Sequence, residues 1–253
     1  MSIRTATLNG VATSEIARPE KKNALTGAMY KAMADALDAA KADNAVRAVL
    51  ITGQPGIFTS GNDIEDFMQR PPGSTESPAL VFMKALMGCD KPVVAAVTGA
   101  AIGIGTTLLL HCDFVYVSDE ARLAMPFVSL GLVPEFASSL IVPQLVGNVR
   151  AAEKLLLGDP FTGAEAVEMG IANAVLPAAE VAPHARRIAE RFNTLPPGAV
   201  RETKRLMRRA RSAAAEEAIG IETGVFAARL QSAEAKEAFS AFFQKRKPDF
   251  SKF

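Results

Sequence analysis

Glu135 has the most chemical promise in this sequence. It sits in Leu132-Val133-Pro134-Glu135-Phe136-Ala137, a carboxylate with apolar neighbours on both sides. Walled in by those neighbours, it would lose hydration, and its pKa would rise toward the working range of a general base. The same glutamate in the first turn of a helix could equally serve the helix dipole. The residues alone leave both readings open. Two glycine-containing loops form the second feature: Ser60-Gly61-Asn62-Asp63-Ile64, and Gly99 through Gly105 (GAAIGIG). Each follows an apolar run and opens a helical pattern. In parallel α/β sheets ligands bind beyond the carboxyl ends of the strands. N–H groups at a helix start are unsatisfied donors. Two such loops side by side could aim two N–H groups at one oxygen, the arrangement that stabilises charge developing on a carbonyl. Glycines used for turns and close packing remain the alternative for either loop taken singly. The second loop fits a dinucleotide fingerprint poorly, because Leu108 stands where a third glycine would follow Gly103 and Gly105.

Other chemistries find little support. The two histidines stand far apart: His111 on an apolar stretch beside Cys112 and Asp113, which reads as structural, and His184 on a helix face expected to be exposed. That argues against a metal site. There is no GxSxG elbow. Cys89 and Cys112 form no CxxC pair and read as small core residues in a reducing compartment. The net charge of +1 offers no basic stripe for nucleic acid. Positive residues do gather late, at Arg201, Lys204, Arg205, Arg208, Arg209 and Arg211. A solvated helix face is the plain reading, a local phosphate site the sharper one. The opening residues lack an apolar signal region, so a cytoplasmic protein is expected. The uncharged stretch Val93–Leu110 has the minimal length of a membrane span, but its branched half reads as a strand and its glycines break a helix.

The elements that must carry these groups follow from periodicity. Val11–Ala17, Val46–Ile51, Val93–Val97 and Phe114–Val117 read as strands. Thr26 can cap a helix through Met29, Met33, Leu37 and Ala40. Further helices are expected near Asp63, over Leu80–Met87 and after Gly105, and Arg70–Ser77 reads as a polar, Pro-rich mobile loop. Strand–helix alternation predicts an α/β core with parallel strands. From about Pro134 helical patterns dominate to the end, with a break at Pro196-Pro197. The expected organisation is a core over residues 1–195 and a helical region over 196–253.

Six segments in order resemble the crotonase (enoyl-CoA hydratase/isomerase) superfamily. They are Ala17–Leu25 (ARPEKKNAL), Phe58–Ile64 (FTSGNDI), Lys91–Val97 with the glycine loop after it, Cys112-Asp113, Ser129–Pro134 (SLGLVP), and Phe239–Phe250. The resemblance implies a ClpP-like spiral of β-β-α units with a C-terminal helical trimerisation region. It implies an acyl-CoA substrate, with coenzyme A entering as part of that substrate and no separate cofactor or metal. The oxyanion donors would be the N–H groups of Asn62 and Ile104. Ser60, Gly61, Asn62, Asp63, Ile64 and Gly103 would surround coenzyme A, the Asp63 side chain serving the loop itself, with Lys22 and Ala24 lining the same ligand. Members are trimers or dimers of trimers; neither nucleic acid nor a membrane is expected as a partner.

Within this resemblance the two hydratase glutamates are missing. Thr107 and Phe127 occupy their positions. Pro134-Glu135 followed by Ser138-Ser139 instead resembles the Δ3,Δ2-enoyl-CoA isomerase branch, in which one glutamate moves a proton from C2 to C4. The expected activity is that isomerisation, with Glu135 as shuttle. A hydratase-like or other thioester reaction is the first alternative, a non-catalytic acyl-CoA-binding homologue the second.

Overall fold

The computed structural model describes residues 2–69 and 77–253. Among the described residues ten strands form two sheets. The larger contains β1 (Ile3–Leu8), β2 (Val11–Ile16), β3 (Ala48–Thr52), β5 (Val93–Val97), β7 (Phe114–Ser118) and β10 (Ala174–Leu176), in that spatial order. Only the β1–β2 pair is antiparallel. The smaller sheet contains β4 (Ile57–Thr59), β6 (Ala100–Ile102), β8 (Arg122–Ala124) and β9 (Phe161–Thr162). Three successive units therefore send one strand to the large sheet and the next to the small one: β3 and β4, β5 and β6, β7 and β8. This is the expected β-β-α spiral.

The helices follow from capping and apolar spacing. In α1 (Gly27–Ala42) the Thr26 hydroxyl accepts from the Met29 N–H, and Met29, Met33, Leu37 and Ala40 are all buried. A Ser77 cap starts α3 (Pro78–Met87) in the same way, with proline at the first helical position where no N–H is needed. Between them lies α2 (Ile64–Gln69). The other helices are α4 (Ile104–Thr107), α5 (Ser138–Val146), α6 (Asn148–Ala152), α7 (Gly163–Glu168), α8 (Ala178–Glu190), α9 (Pro197–Leu230) and α10 (Ala233–Phe243).

Strand β5 is buried along its whole length. Its side chains divide between two cores: Val94 and Ala96 pack with Val181, Ala185 and Ala189 of α8, while Val93, Ala95 and Val97 face the main core with α1 and α3. A strand covered on both faces needs no polar alternation, hence its uniform sequence.

The structure corrects several expectations. Helices dominate after Pro134, but two short strands not expected there stand among them: β9 pairs with β8, and β10 completes the large sheet beside β7. The helix expected after Gly105 already begins at Ile104 and passes at Leu108 into a 3-10 turn. His184 is half-buried, its ring edge-on to Tyr116 at 4.5 Å. The late cations are not simply a solvated face. Lys204 is buried and, with Arg208, grips Asp113 at 2.6 and 2.8 Å, while Arg201 pairs with Asp90, so these residues pin α9 to the core. The loop expected at Arg70–Ser77 lies, except for Ser77, outside the described residues. Among the described residues no helix is long and apolar enough to cross a membrane.

Candidate active site

The first loop is shaped by the segment that precedes α1. Asn23, fully buried, donates from Nδ2 to the carbonyls of Ile16 and Phe58 at 3.0 and 3.1 Å, and its Oδ1 accepts from the Arg18 N–H at 2.7 Å. Arg18 Nη1 reaches Asp63 at 2.6 Å and the Ala24 carbonyl at 2.9 Å. Burial alone would raise the Asp63 pKa; Arg18 and the N–H groups of Glu65 and Asp66 outweigh it and hold the carboxyl below its usual range. Asp63 thus fastens the loop and starts α2, as expected of it. The main chain is stitched as well: Leu25 N–H to Gly61 O at 2.8 Å, Asp63 N–H to Leu25 O at 2.9 Å, Ser60 N–H to Lys22 O at 3.1 Å. Lys22 and Ala24 therefore adjoin the loop, Lys22 exposed at its edge. The Ser60 N–H is engaged by the Lys22 carbonyl.

The second loop packs directly on the first. Gly61 has φ +92°, and a Cβ there would meet the Ile102 carbonyl oxygen at 2.9 Å; a Cβ on Gly105 would meet the Thr59 methyl at 2.6 Å. Only glycine allows this approach. Between these stitched groups, the N–H groups of Asn62 and Ile104 donate to no acceptor among the described residues. Both border a cavity that is also lined by Ser60, Ile64, Gly103 and Phe127.

Asn62 also borders an adjoining cleft whose walls are Tyr30, Leu80, Met83, Phe136 and Phe226 and which contains Glu135. Glu135 thus lines one cavity and Ile104 the other, and Asn62 and Phe226 line both. Burial pushes the Glu135 pKa up to about 8; a hydrogen bond from Thr107 Oγ1 opposes the shift, and the charge of Glu222 adds to it. Glu135 is half-buried, and it lines the cleft. A carboxyl group poised in this range can both accept and return a proton near neutral pH.

Three neighbours were not singled out for these roles in the sequence. Thr107, noted only as a missing carboxylate, is a hydrogen-bond donor to Glu135. Tyr30, buried on α1, donates from its hydroxyl to Asn62 Oδ1 at 2.5 Å; burial and the proximity of Glu135 hold its pKa well above the ordinary tyrosine value. Glu222, buried on α9, accepts from the turn after Glu135. Tyr30 lies on the apolar face of α1 shared with Met33 and Leu37, which turns its ring inward but does not point to Asn62. His111 is the structural residue expected: its Nε2 lies 2.8 Å from the Phe136 carbonyl, its ring stacks on Phe136, and burial lowers its pKa to about 3. Among the described residues no cluster of histidine, cysteine or carboxylate side chains could hold a metal ion.

A family model described as enoyl-CoA hydratase/isomerase matches residues 6–252. The chain belongs to this family. Its two-sheet spiral is the crotonase fold of the family's solved structures. One of these, Pseudomonas aeruginosa OdaA, is 54% identical and superimposes with a TM-score of 0.93 over 95% of this chain and 98% of that one. Curated relatives carry both activity names. Human enoyl-CoA delta isomerase 2 is 36% identical over 79% of this chain and 52% of that protein, so the chain spans about half the length of that relative. A probable enoyl-CoA hydratase of Bacillus subtilis is 30% identical over 90% of each chain.

Proposed function

We propose that this chain is an enoyl-CoA isomerase that shifts a double bond from position 3 to position 2. The observation that carries the reading is a single raised carboxyl, Glu135, at the wall of an apolar cleft that it shares with Asn62. Hydration needs one group to activate water and another to manage the proton at C2; Thr107 and Phe127 offer no second carboxylate. Double-bond migration adds no water, and one base suffices. The Glu135 carboxylate takes a proton from C2, the negative charge spreads to the thioester oxygen, and the N–H groups of Asn62 and Ile104 hold it there. Glu135 then returns the proton at C4. Leu80, Met83, Phe136 and Phe226 exclude water from the dienolate and accept the acyl chain. Coenzyme A arrives with the substrate and lies over Ser60, Gly61, Ile64 and Gly103, with Lys22 and Ala24 at its edge. The chain works as a trimer or a dimer of trimers; exposed Val149, Leu156 and Leu157, and Phe242 with Phe243 on α10, are apolar surface suited to subunit contact.

Incubation with a trans-3-enoyl-CoA, followed by absorbance of the conjugated thioester, tests the reading. Conjugation should appear, fall by about 10²–10⁴-fold in Glu135→Gln, and be accompanied by little consumption of a trans-2-enoyl-CoA. Rapid loss of the 2-enoyl signal would establish hydration instead.

A further inference from the structure

We propose that Glu222, on the C-terminal helix, is a positioning residue for Glu135: it holds the turn that aims the base, and its charge sets the pH range in which the base works. The proposal rests on the reading of Glu135 as the proton shuttle.

The geometry begins with an unusual piece of backbone. Immediately after Glu135, Phe136 and Ala137 both have φ +58°. Neither is glycine, and the left-handed region costs an ordinary residue roughly 1–2 kcal/mol each. Two such residues in succession persist only where the surroundings hold them. Helix α5 begins directly afterwards, with alanine at its N-cap and no side-chain cap of its own. Its first N–H groups would be orphaned in a buried place.

Glu222 supplies what the local sequence lacks. Its Oε2 accepts from the Ala137 N–H at 2.6 Å, and its Oε1 from the Ser139 N–H at 3.0 Å and the Ser139 hydroxyl at 2.5 Å. From the other side His111 meets the Phe136 carbonyl. The turn is thus clamped at Phe136, Ala137 and Ser139, and Glu135 leaves it toward the cleft. An N-cap supplied in trans from α9 also ties the docking of that helix to the aim of the base.

Charge provides the second part. Two backbone N–H donors point at Glu222, which favours its ionised form against the cost of burial; burial still raises its pKa above the ordinary value. The ionisable groups facing Glu135 are Tyr30 from α1, Glu222 from α9, and behind the turn His111, which stays neutral. Of these, Glu222 is the carboxyl whose charge adds to the raised pKa of Glu135, because like charge disfavours a second carboxylate.

Glu222→Gln retains the shape and one acceptor oxygen and removes the charge. Two titrations read it: the acid limb of kcat against pH in the 3-enoyl-CoA assay, and the infrared carboxyl stretch that disappears in Glu135→Gln, which needs no substrate. In Glu222→Gln both midpoints should fall by about one pH unit, with KM within about two-fold of wild type. Glu222→Ala, which removes every acceptor, should lower kcat by about 10–100-fold. Midpoints that coincide with wild type in Glu222→Gln would overturn the proposal, whether or not the alanine variant folds. If the wild-type protein isomerises nothing, the shuttle reading fails, and the infrared midpoint still decides whether Glu222 governs Glu135.

Discussion

Replacing Glu135 with glutamine should make the protein more stable, and increasingly so as pH rises. In the native protein the carboxyl titrates at about 8 rather than 4.5, chiefly because of burial. Below about pH 4.5 the native and unfolded chains both hold the proton, and there is no penalty. Between about 4.5 and 8 the unfolded chain releases it while the native chain keeps it, so folding takes up a proton and stability falls with rising pH. Above about 8 the loss is complete. At about 1.4 kcal/mol per pH unit the full interval corresponds to an upper bound of about 5 kcal/mol. Glu135 borders a cleft that admits water, and the realised loss should be nearer 2–4 kcal/mol. Glutamine has no such titration. Urea unfolding of both proteins from pH 5 to 8.5, at fixed protein concentration, reads the difference. The two stability curves should diverge by about 2–4 kcal/mol across the range. The contribution of His111 occurs in both proteins and cancels, whereas the coupling of Glu222 to Glu135 is part of the difference that is read. Parallel curves would mean that Glu135 is solvated and ordinary, and its candidacy as a base would lose its physical ground.

Two further substitutions probe the frame around the site. Gly61→Ala forces a left-handed alanine against the Ile102 carbonyl and must push the two loops apart; kcat/KM should fall about 10–100-fold, with a loss of stability of about 1–2 kcal/mol from the backbone strain, and an unchanged kcat/KM would refute the oxyanion geometry. Asp113→Ala leaves the buried Lys204 and its neighbour Arg208 without their carboxylate. It should cost about 2–4 kcal/mol in urea unfolding, less than a bare buried charge because Lys204 retains the Lys91 carbonyl and Arg208 the His111 carbonyl; a change under about 1 kcal/mol would show that α9 is held by its apolar half alone.

The large sheet could be read from the sequence because its central strands are buried on both faces and are therefore continuous apolar runs. The small sheet could not. Ile57–Thr59, Ala100–Ile102 and Arg122–Ala124 have three residues each, too few to establish a period. Strand β1 has a single buried residue, Ile3, so it shows no alternation; its partner β2 provides the pairing that makes it a strand. Strand β10, with no fully buried residue, was lost among helical neighbours and owes its place to the parallel register with Tyr116–Ser118. In each case a neighbour distant in sequence decides the conformation.

The candidate site divides in the same way, but one of its hidden members did leave a trace. Asn62, Ile104 and Glu135 stand in segments whose motifs point to them. Tyr30 and Thr107 act through single hydrogen bonds that no spacing foretells. Glu222 is different, because α9 carries a stripe at helical spacing: 204, 208, 211, 215, 219, 222, 226. The first half is Lys204, Arg208 and Arg211; the second is Ala215, Ile219, Glu222 and Phe226, all four buried. A lone carboxylate amid an apolar stripe must either lose its charge or find donors. The basic half of the stripe finds Asp113 in the core, and the acidic residue in the apolar half finds the orphaned N–H groups at the start of α5. Each buried charge on this helix thus answers an unsatisfied group of opposite character in the core. That complementarity fixes the rotation of α9 about its own axis, because a turn of the helix by one residue would part Lys204 and Arg208 from Asp113 and Glu222 from the start of α5. The same lock that seats the helix brings Phe226 into both cavities and Glu222 onto the Glu135 turn.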